Sequence, residues 1–248
     1  MTLQARLCKK LRHFSLDVEL SCGVGETLCV VGPSGSGKTT LLRLLVGLER
    51  PEQGEVRMGG ETLLDCRSRV NLPPQRRSAG LVFQDYSLFP HMTLWQNAMY
   101  AATDSRVVEE LLETFGIAHL RNMLPGRISG GERQRGALCQ ALARKPRLLL
   151  LDEPFSALDL ETRMGLRRVL REVQRTTPLC MIHVTHDLNE AVYLGDRILA
   201  LKQGRLDPEW LERQFALLRR EQAFVAERTM PPLSPEPDTR QERSLSHA

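Results

Sequence analysis

Apolar residues are arranged along this chain in two distinct patterns. Thr27 to Val31 is short, apolar and β-prone, and it feeds a glycine-rich turn followed by Leu41, Leu42, Leu44, Leu45 and Leu48, the spacing of one helix face. Leu148 to Leu151 and Cys180 to Val184 are unbroken apolar runs bounded by polar or turn residues, with the helical segment Leu160 to Arg175 between them. Phe14 to Leu20 and Glu55 to Met58 alternate instead, the latter just ahead of Gly59 and Gly60. Unbroken strands separated by helices predict a parallel sheet covered on both faces, and alternating ones predict an antiparallel edge sheet beside it. The fold class is therefore α/β.

Between about Phe89 and Gln140 strand signals fade and helical periodicity takes over, notably at Val107 to Phe115 and Glu132 to Ala143. This predicts a helical subdomain, residues 84–140, inserted into an α/β core made of residues 1–83 and 141–205. After Gly204, Asp207 and Pro208 suit an N-cap and a first helical position, and Trp210, Leu211, Phe215, Leu218 and Val225 trace one face of a helix expected to span 206–229 and to pack back on the domain. From Met230 onward, prolines among Ser, Glu and Arg read as a disordered tail, residues 230–248.

Composition removes several classes of protein without choosing one. With 248 residues, 42% of them apolar, the chain can bury a substantial core. Thirty-four basic against thirty acidic residues leave a net charge of +4, too small to argue for a nucleic-acid surface. No apolar stretch approaches the roughly 20 residues of a membrane span, and Met1 to Lys10 lacks the apolar core of a secretion signal, so a cytoplasmic address is expected. The six cysteines, Cys8, Cys22, Cys29, Cys66, Cys139 and Cys180, contain no CxxC pair, and neither a disulfide framework nor a zinc site is expected.

Chemistry enters at the turn after the first apolar run. Gly32-Pro33-Ser34-Gly35-Ser36-Gly37-Lys38-Thr39, followed by Thr40, fits the phosphate-loop pattern G-x-x-x-x-G-K-[ST] and lies where its mechanism requires, between a strand and a helix. Glycines let successive amides point into one concavity, the helix start adds positive potential, Lys38 reaches the β- and γ-phosphates, and the Thr39 hydroxyl ligates Mg²⁺. Leu148 to Leu151 ends in Asp152 and Glu153, and the carboxyl end of a parallel strand is where ligands bind. Asp152 suits the Mg²⁺ shell; Glu153 suits a general base or water-positioning role. Ser129, Gly130 and Gly131 precede a helical pattern and form a second phosphate-binding device, and His186, after the third apolar run, is placed to contact a γ-phosphate. His183, inside that run, is expected to be a packed or surface side chain.

The ordered set of these pieces resembles the ATP-binding subunits of ABC transporters over about residues 10–205: phosphate loop, Gln84, Ile128-Ser129-Gly130-Gly131-Glu132, Leu150-Leu151-Asp152-Glu153, Ser156-Ala157-Leu158-Asp159 and His186. The resemblance implies a P-loop NTPase fold, a RecA-like parallel core with an antiparallel edge sheet and a helical insertion. It implies that Gln84 senses Mg²⁺ and the attacking water, that Ser156 to Asp159 form the D-loop, with Asp159 among the nucleotide-binding residues, and that His186 is the switch histidine. Ile128 and Glu132 depart from the usual Leu and Gln at the ends of the signature, and Leu11 stands near the place of the usual adenine-stacking aromatic, with His13 and Phe14 as neighbouring alternatives.

By the same resemblance ATP and Mg²⁺ are the cofactors, and two copies pack head to tail so that Ser129 to Gly131 of one cover ATP held by Lys38 and Thr39 of the other. The expected partners are a second copy, an integral membrane permease and, indirectly, a substrate-binding protein, with no nucleic acid; the place is the cytoplasmic face of the inner membrane. Val82 to Thr93 is similar to the Q-loop stretch of bacterial importers, and Asn71 to Arg77 with the short helical insert looks most like molybdate or tungstate importers. Importers of sulfate, iron, polyamine or sugar, an exporter-type ATPase and a soluble ABC ATPase are the alternatives. The forty or so residues after Gly204 do not read as the regulatory β-barrel that many such importers carry.

Overall fold

The structure, a computed structural model, describes residues 2–84 and 88–229. Asp85, Tyr86 and Ser87 of the importer-like stretch lie outside the described residues, as does the 230–248 segment expected to be a disordered tail. From its start the chain forms β1 (Thr2–Lys10), β2 (Ser15–Gly23), β3 (Thr27–Val31), α1 (Lys38–Val46), β4 (Gln53–Met58), β5 (Glu61–Asp65), β6 (Val70–Asn71) and β7 (Ala79–Val82). Helices α2 (Leu94–Met99), α3 (Ser105–Thr114) and α4 (Gly130–Leu142) come next. Then follow β8 (Leu148–Asp152), α5 (Leu160–Thr176), β9 (Cys180–Thr185), α6 (Leu188–Leu194), β10 (Arg197–Lys202), β11 (Arg205–Leu206) and α7 (Pro208–Thr229).

The strands run across one sheet in the order β6-β5-β4-β1-β2-β11-β10-β3-β9-β8-β7. From β10 to β7 every neighbouring pair is parallel, and from β6 to β2 every pair is antiparallel. The unbroken apolar runs are the central parallel strands because both of their faces are covered. Along β8, Leu148 and Leu150 join a core shared with α1 and the antiparallel strands, whereas Leu149 and Leu151 join the core beneath α2 to α6. On β1, by contrast, Leu3, Ala5 and Leu7 point inward and the residues between them are exposed, the alternation of a strand covered on one side.

Arg77 is fully buried in this interior. Its guanidinium donates to the carbonyls of Leu44 (2.9 Å) and Leu45 (2.8 Å) at the end of α1, to the Leu72 carbonyl (2.9 Å) and to Asn71 Oδ1 (2.7 Å). Burial lowers its pKa to about 10, and the carbonyl end of a helix is where a cation is best tolerated. Residues up to Leu211 form one compact unit. Within it Asp207 caps the start of α7 by accepting from the Trp210 amide, and Trp210 and Leu211 pack on the core beneath the helices. The second unit begins at Glu212 and contains the rest of α7, where Leu217 and Phe224 are more than half exposed. No helix among the described residues is long and apolar enough to cross a membrane.

Candidate active site

Strands β3, β9 and β8 lie side by side and point the same way, so the segments leaving their carboxyl ends meet. The first is the glycine-rich turn. Gly37 takes φ = +104° at the N-cap of α1, a conformation that a side chain would strain, and no side chain caps this helix. Its first amides are left for a ligand, with no acidic residue in the first turn to offset their positive potential. Lys38 is 5% exposed and donates to the carbonyls of Gly32 (2.8 Å) and Pro33 (3.0 Å), which fold the turn around its ammonium group. Burial lowers the Lys38 pKa, opposed by the nearby Glu153 and Asp152. The Ser36 hydroxyl is buried without a hydrogen-bond partner, an unmet polar group inside the turn.

From the end of β8, Asp152 accepts a hydrogen bond from Thr39 Oγ1 at 3.2 Å. Burial raises the Asp152 pKa, so its charge is held at a cost that a divalent cation would remove. A hydroxyl and a carboxylate side by side are hard oxygen donors of the kind Mg²⁺ takes, and the pair fits that ion. Glu153 has φ = +47°, unusual for a residue with a side chain, and its amide donates to the Val184 carbonyl of β9 at 3.0 Å. This turn aims its carboxylate between Lys38 Nζ, 4.0 Å from Oε1, and His186 Nδ1, 3.0 Å from Oε2. The side chain of Glu153 is 16% exposed and that of His186 57%, so the histidine faces outward from a sheltered acid.

Leu11, Ser34, Gly35, Gly37, Lys38, Thr39, Thr40, Gln84 and Glu153 line one cleft of about 350 Å³. Gln84, leaving β7, is thus brought to the phosphate loop. Leu11 forms part of the wall, while Phe14 is half-buried beside Gly37 and Gly204 and His13 is exposed. Ser129, Gly130 and Gly131 are not among the residues that line this cleft. They open α4, where Ser129 Oγ accepts from the Glu132 amide (3.3 Å) and the Glu132 carboxylate accepts from the Ser129 amide (2.7 Å). This reciprocal cap holds the Glu132 carboxyl below its ordinary pKa through the Ser129 amide. Asp159 is an exposed N-cap of α5, accepting from the Thr162 amide at 3.0 Å, and it too lies away from the cleft.

Around His186 the structure gathers residues that the sequence did not mark. Asp187 accepts from the Asn189 and Glu190 amides and so starts α6. Glu190 is buried; burial pushes its carboxyl up, but the neighbouring His183, the Thr185 hydroxyl and Arg167 bring it down to about 2. His183, expected to be a packed or surface side chain, is fully buried, with Nε2 3.6 Å from Glu190. Arg163 and Arg167 at i and i+4 share one face of α5, and Asp187 and Glu190 at i and i+3 one end of α6, but only the packing of the two helices sets them opposite each other.

Set against known proteins, residues 16–156 match the family described as ABC transporter. The chain is 45% identical over 213 residues to the molybdate/tungstate import ATP-binding protein of Archaeoglobus fulgidus, covering 83% of this chain and 85% of that protein. It is 45% identical to a sulfate/thiosulfate import ATP-binding protein of Agrobacterium fabrum and 40% identical to the trehalose/maltose import ATP-binding protein of Thermococcus litoralis. These alignments cover 79% of this chain in both cases, and 58% and 54% of the two relatives, so the chain spans little more than half their length. Among solved structures it resembles an ATP-binding cassette captured as a dimer in a post-hydrolysis state with ADP and Pi, at TM-score 0.70 and 29% identity over 84% of this chain and 97% of that one.

Proposed function

We propose, from the premise that this chain belongs to the ABC transporter family, that it is the ATP-hydrolysing subunit of an importer. One observation carries the reading: a phosphate loop, an acid pair and a histidine converge at the carboxyl ends of three adjacent parallel strands. Gly32 to Gly37 and the open start of α1 cradle the phosphates of ATP, with Thr40 at the same helix start. Lys38 neutralises the β- and γ-phosphates. Thr39, Asp152 and Gln84 would hold Mg²⁺, which when bound supplies charge neutralisation at the phosphates. Glu153 takes the proton of the attacking water, and its left-handed turn fixes the carboxylate for that task. His186, hydrogen-bonded to Glu153, is placed to donate to the γ-phosphate as charge builds there.

Ser129, Gly130 and Gly131 serve a second copy of the chain, since they lie outside their own cleft. Asp159, at the end of the turn after Glu153, joins the contact between copies. ATP then acts as a bond between two subunits, and its hydrolysis opens them. Coupled to separate membrane permease subunits on the cytoplasmic face of the inner membrane, with a substrate-binding protein outside, this cycle drives import. No role for nucleic acid is invoked. The cargo we favour is molybdate or tungstate, supported by the Archaeoglobus relative, which is matched over most of its length; sulfate is the second reading, supported by an equal identity to a sulfate/thiosulfate protein.

Glu153→Gln should bind ATP, dimerise and barely turn over, read by nucleotide binding, gel filtration and phosphate release. Brisk hydrolysis by that variant would remove Glu153 from its role. For the cargo, ATPase activity of the complex reconstituted with its permease should rise with molybdate-loaded binding protein; stimulation by the sulfate-loaded form alone would decide for sulfate.

A further inference from the structure

The segment that carries His186 and the turn that carries Ser156 to Asp159 are far apart in sequence, yet one side chain spans them. Arg163, on the first turn of α5, donates through Nη2 to the Leu158 carbonyl at 3.1 Å. Its Nη1 lies 3.5 Å from Asp187 Oδ2, and its Nε, buried without a hydrogen-bond partner, lies 3.9 Å from Glu190 Oε1. One turn further along, Arg167 Nη2 meets Glu190 Oε1 at 3.1 Å and Asp187 Oδ2 at 3.4 Å.

The acids in turn hold both neighbours of His186. Thr185 Oγ1 donates to Glu190 Oε2 at 2.6 Å and accepts from the Asp187 amide at 3.0 Å. The His186 side chain itself is held only through Glu153 among the described contacts. Its backbone is therefore set by a charge-balanced group of two arginines and two acids, with side chains between 4% and 26% exposed. A pair network this sheltered has few arrangements to choose from, because a partner left alone would be a poorly solvated charge. Only Arg163 in the group also grips the backbone of the 156–159 turn.

We propose that Arg163 is a positioning residue that ties the Ser156–Asp159 turn to the His186 turn, so that displacement of the first resets the second against Glu153. The inference rests on the reading of Glu153 and His186 given above. It adds a physical link: a second copy pressing on the exposed Ser156, Ala157 and Asp159 of this turn acts on the histidine through one guanidinium that holds the buried Leu158. The planar fork suits this, since it reaches a carbonyl and a carboxylate in different directions at once, whereas an ammonium group on a flexible stem satisfies one of them.

The test is steady-state ATP hydrolysis by Arg163→Met and Arg163→Lys, with nucleotide affinity and melting temperature measured on the same preparations. Arg163→Met should lose at least tenfold in kcat with KM for ATP within twofold of the parent, because the phosphate loop is untouched. Arg163→Lys should fall between the two. Adding Asp187→Asn to Arg163→Met should cost no more than the worse single change, since both break the same tie. Parental kcat in a folded Arg163→Met, a rise in KM that accounts for the loss, or full additivity with Asp187→Asn would each overturn the proposal. If Arg163→Met does not fold, Arg163→Lys decides alone: reduced kcat at unchanged KM supports the tie, and parental kcat refutes it. Glu153→Gln and His186→Ala run alongside; brisk turnover in both would break the reading of the site itself, whatever Arg163 does.

Discussion

Helices α1 and α4 both start at a glycine-rich turn, and their first turns end in opposite chemical states. At α1 the N-cap is Gly37, no side chain closes the helix, no acid sits in the first turn and a buried lysine lies in the cleft the amides face. At α4, Ser129 and Glu132 close the helix on themselves and place a carboxylate where a phosphate would otherwise be drawn. An unsatisfied helix start in contact with its own cleft is a binding site in one molecule. A start whose cap pairs the Ser129 and Glu132 amides, away from that cleft, costs less to leave without a ligand, so it can wait for a surface brought by another molecule. The Ser129 hydroxyl still has its proton to donate, because in the cap it acts only as acceptor.

This contrast makes Lys38→Met the most damaging change. With the ammonium gone, nucleotide affinity should fall by more than about 100-fold, as charge-assisted bonds to phosphate contribute roughly 1.5–3 kcal/mol each; equilibrium binding measures it, and retained affinity would dissolve the distinction between the two helix starts. Second, Gly131→Val should leave affinity within about threefold while turnover falls more than about tenfold, by the same arithmetic of lost transition-state contacts. Mixing the two inactive variants should restore activity, since one hybrid pocket pairs an intact phosphate loop with an intact Ser129–Gly131. No recovery on mixing would mean that each chain completes its own site.

Asp152→Asn sharpens the α1 side. The folded-state pKa of Asp152 lies above its unfolded value, so the native chain binds more protons there and loses stability as pH rises through that window. Without Mg²⁺, the Asn variant should therefore melt higher than the parent at neutral pH; the gain should shrink in acid, and Mg²⁺-dependent turnover should disappear. The smallest effect belongs to the cleft wall: Leu11→Tyr should lower KM for ATP about three- to tenfold, the worth of one aromatic contact of roughly 0.5–1.5 kcal/mol. An unchanged KM would place the base elsewhere.

What the sequence disclosed follows the strength of each physical signal. Thr27 to Val31, Leu148 to Leu151 and Cys180 to Val184 are buried on both faces, and their unbroken apolar runs announce β3, β8 and β9 within a residue or two. β1 is quieter: Leu3, Ala5 and Leu7 alternate with polar residues, and two lysines close the strand, so it resembles a polar start of chain. β7 has four residues with a glycine inside, too few to show a period. Among site residues, Lys38, Thr39, Asp152, Glu153 and His186 follow from local patterns, and the structure brings them together. Arg163, Arg167 and Glu190 do not, because isolated charges on helices read as solvated faces until the packing of α5 against α6 is known. Asn97 is similar: it is fully buried, accepts from the Phe89 amide at 2.7 Å and donates to the carbonyls of Phe89, Met92 and Thr93, yet in the sequence it is one polar residue among others.

Arg77 gives the catalytic half of the molecule a mechanical property. Its guanidinium clasps the last carbonyls of the helix that begins with Lys38, and two residues later the chain enters the strand that leads to Gln84. Helix and strand thus share one anchor, like a rod and a crank on a common pin. Lys38 at one end of that helix and Gln84 beyond that strand are therefore pinned from behind by the same buried charge.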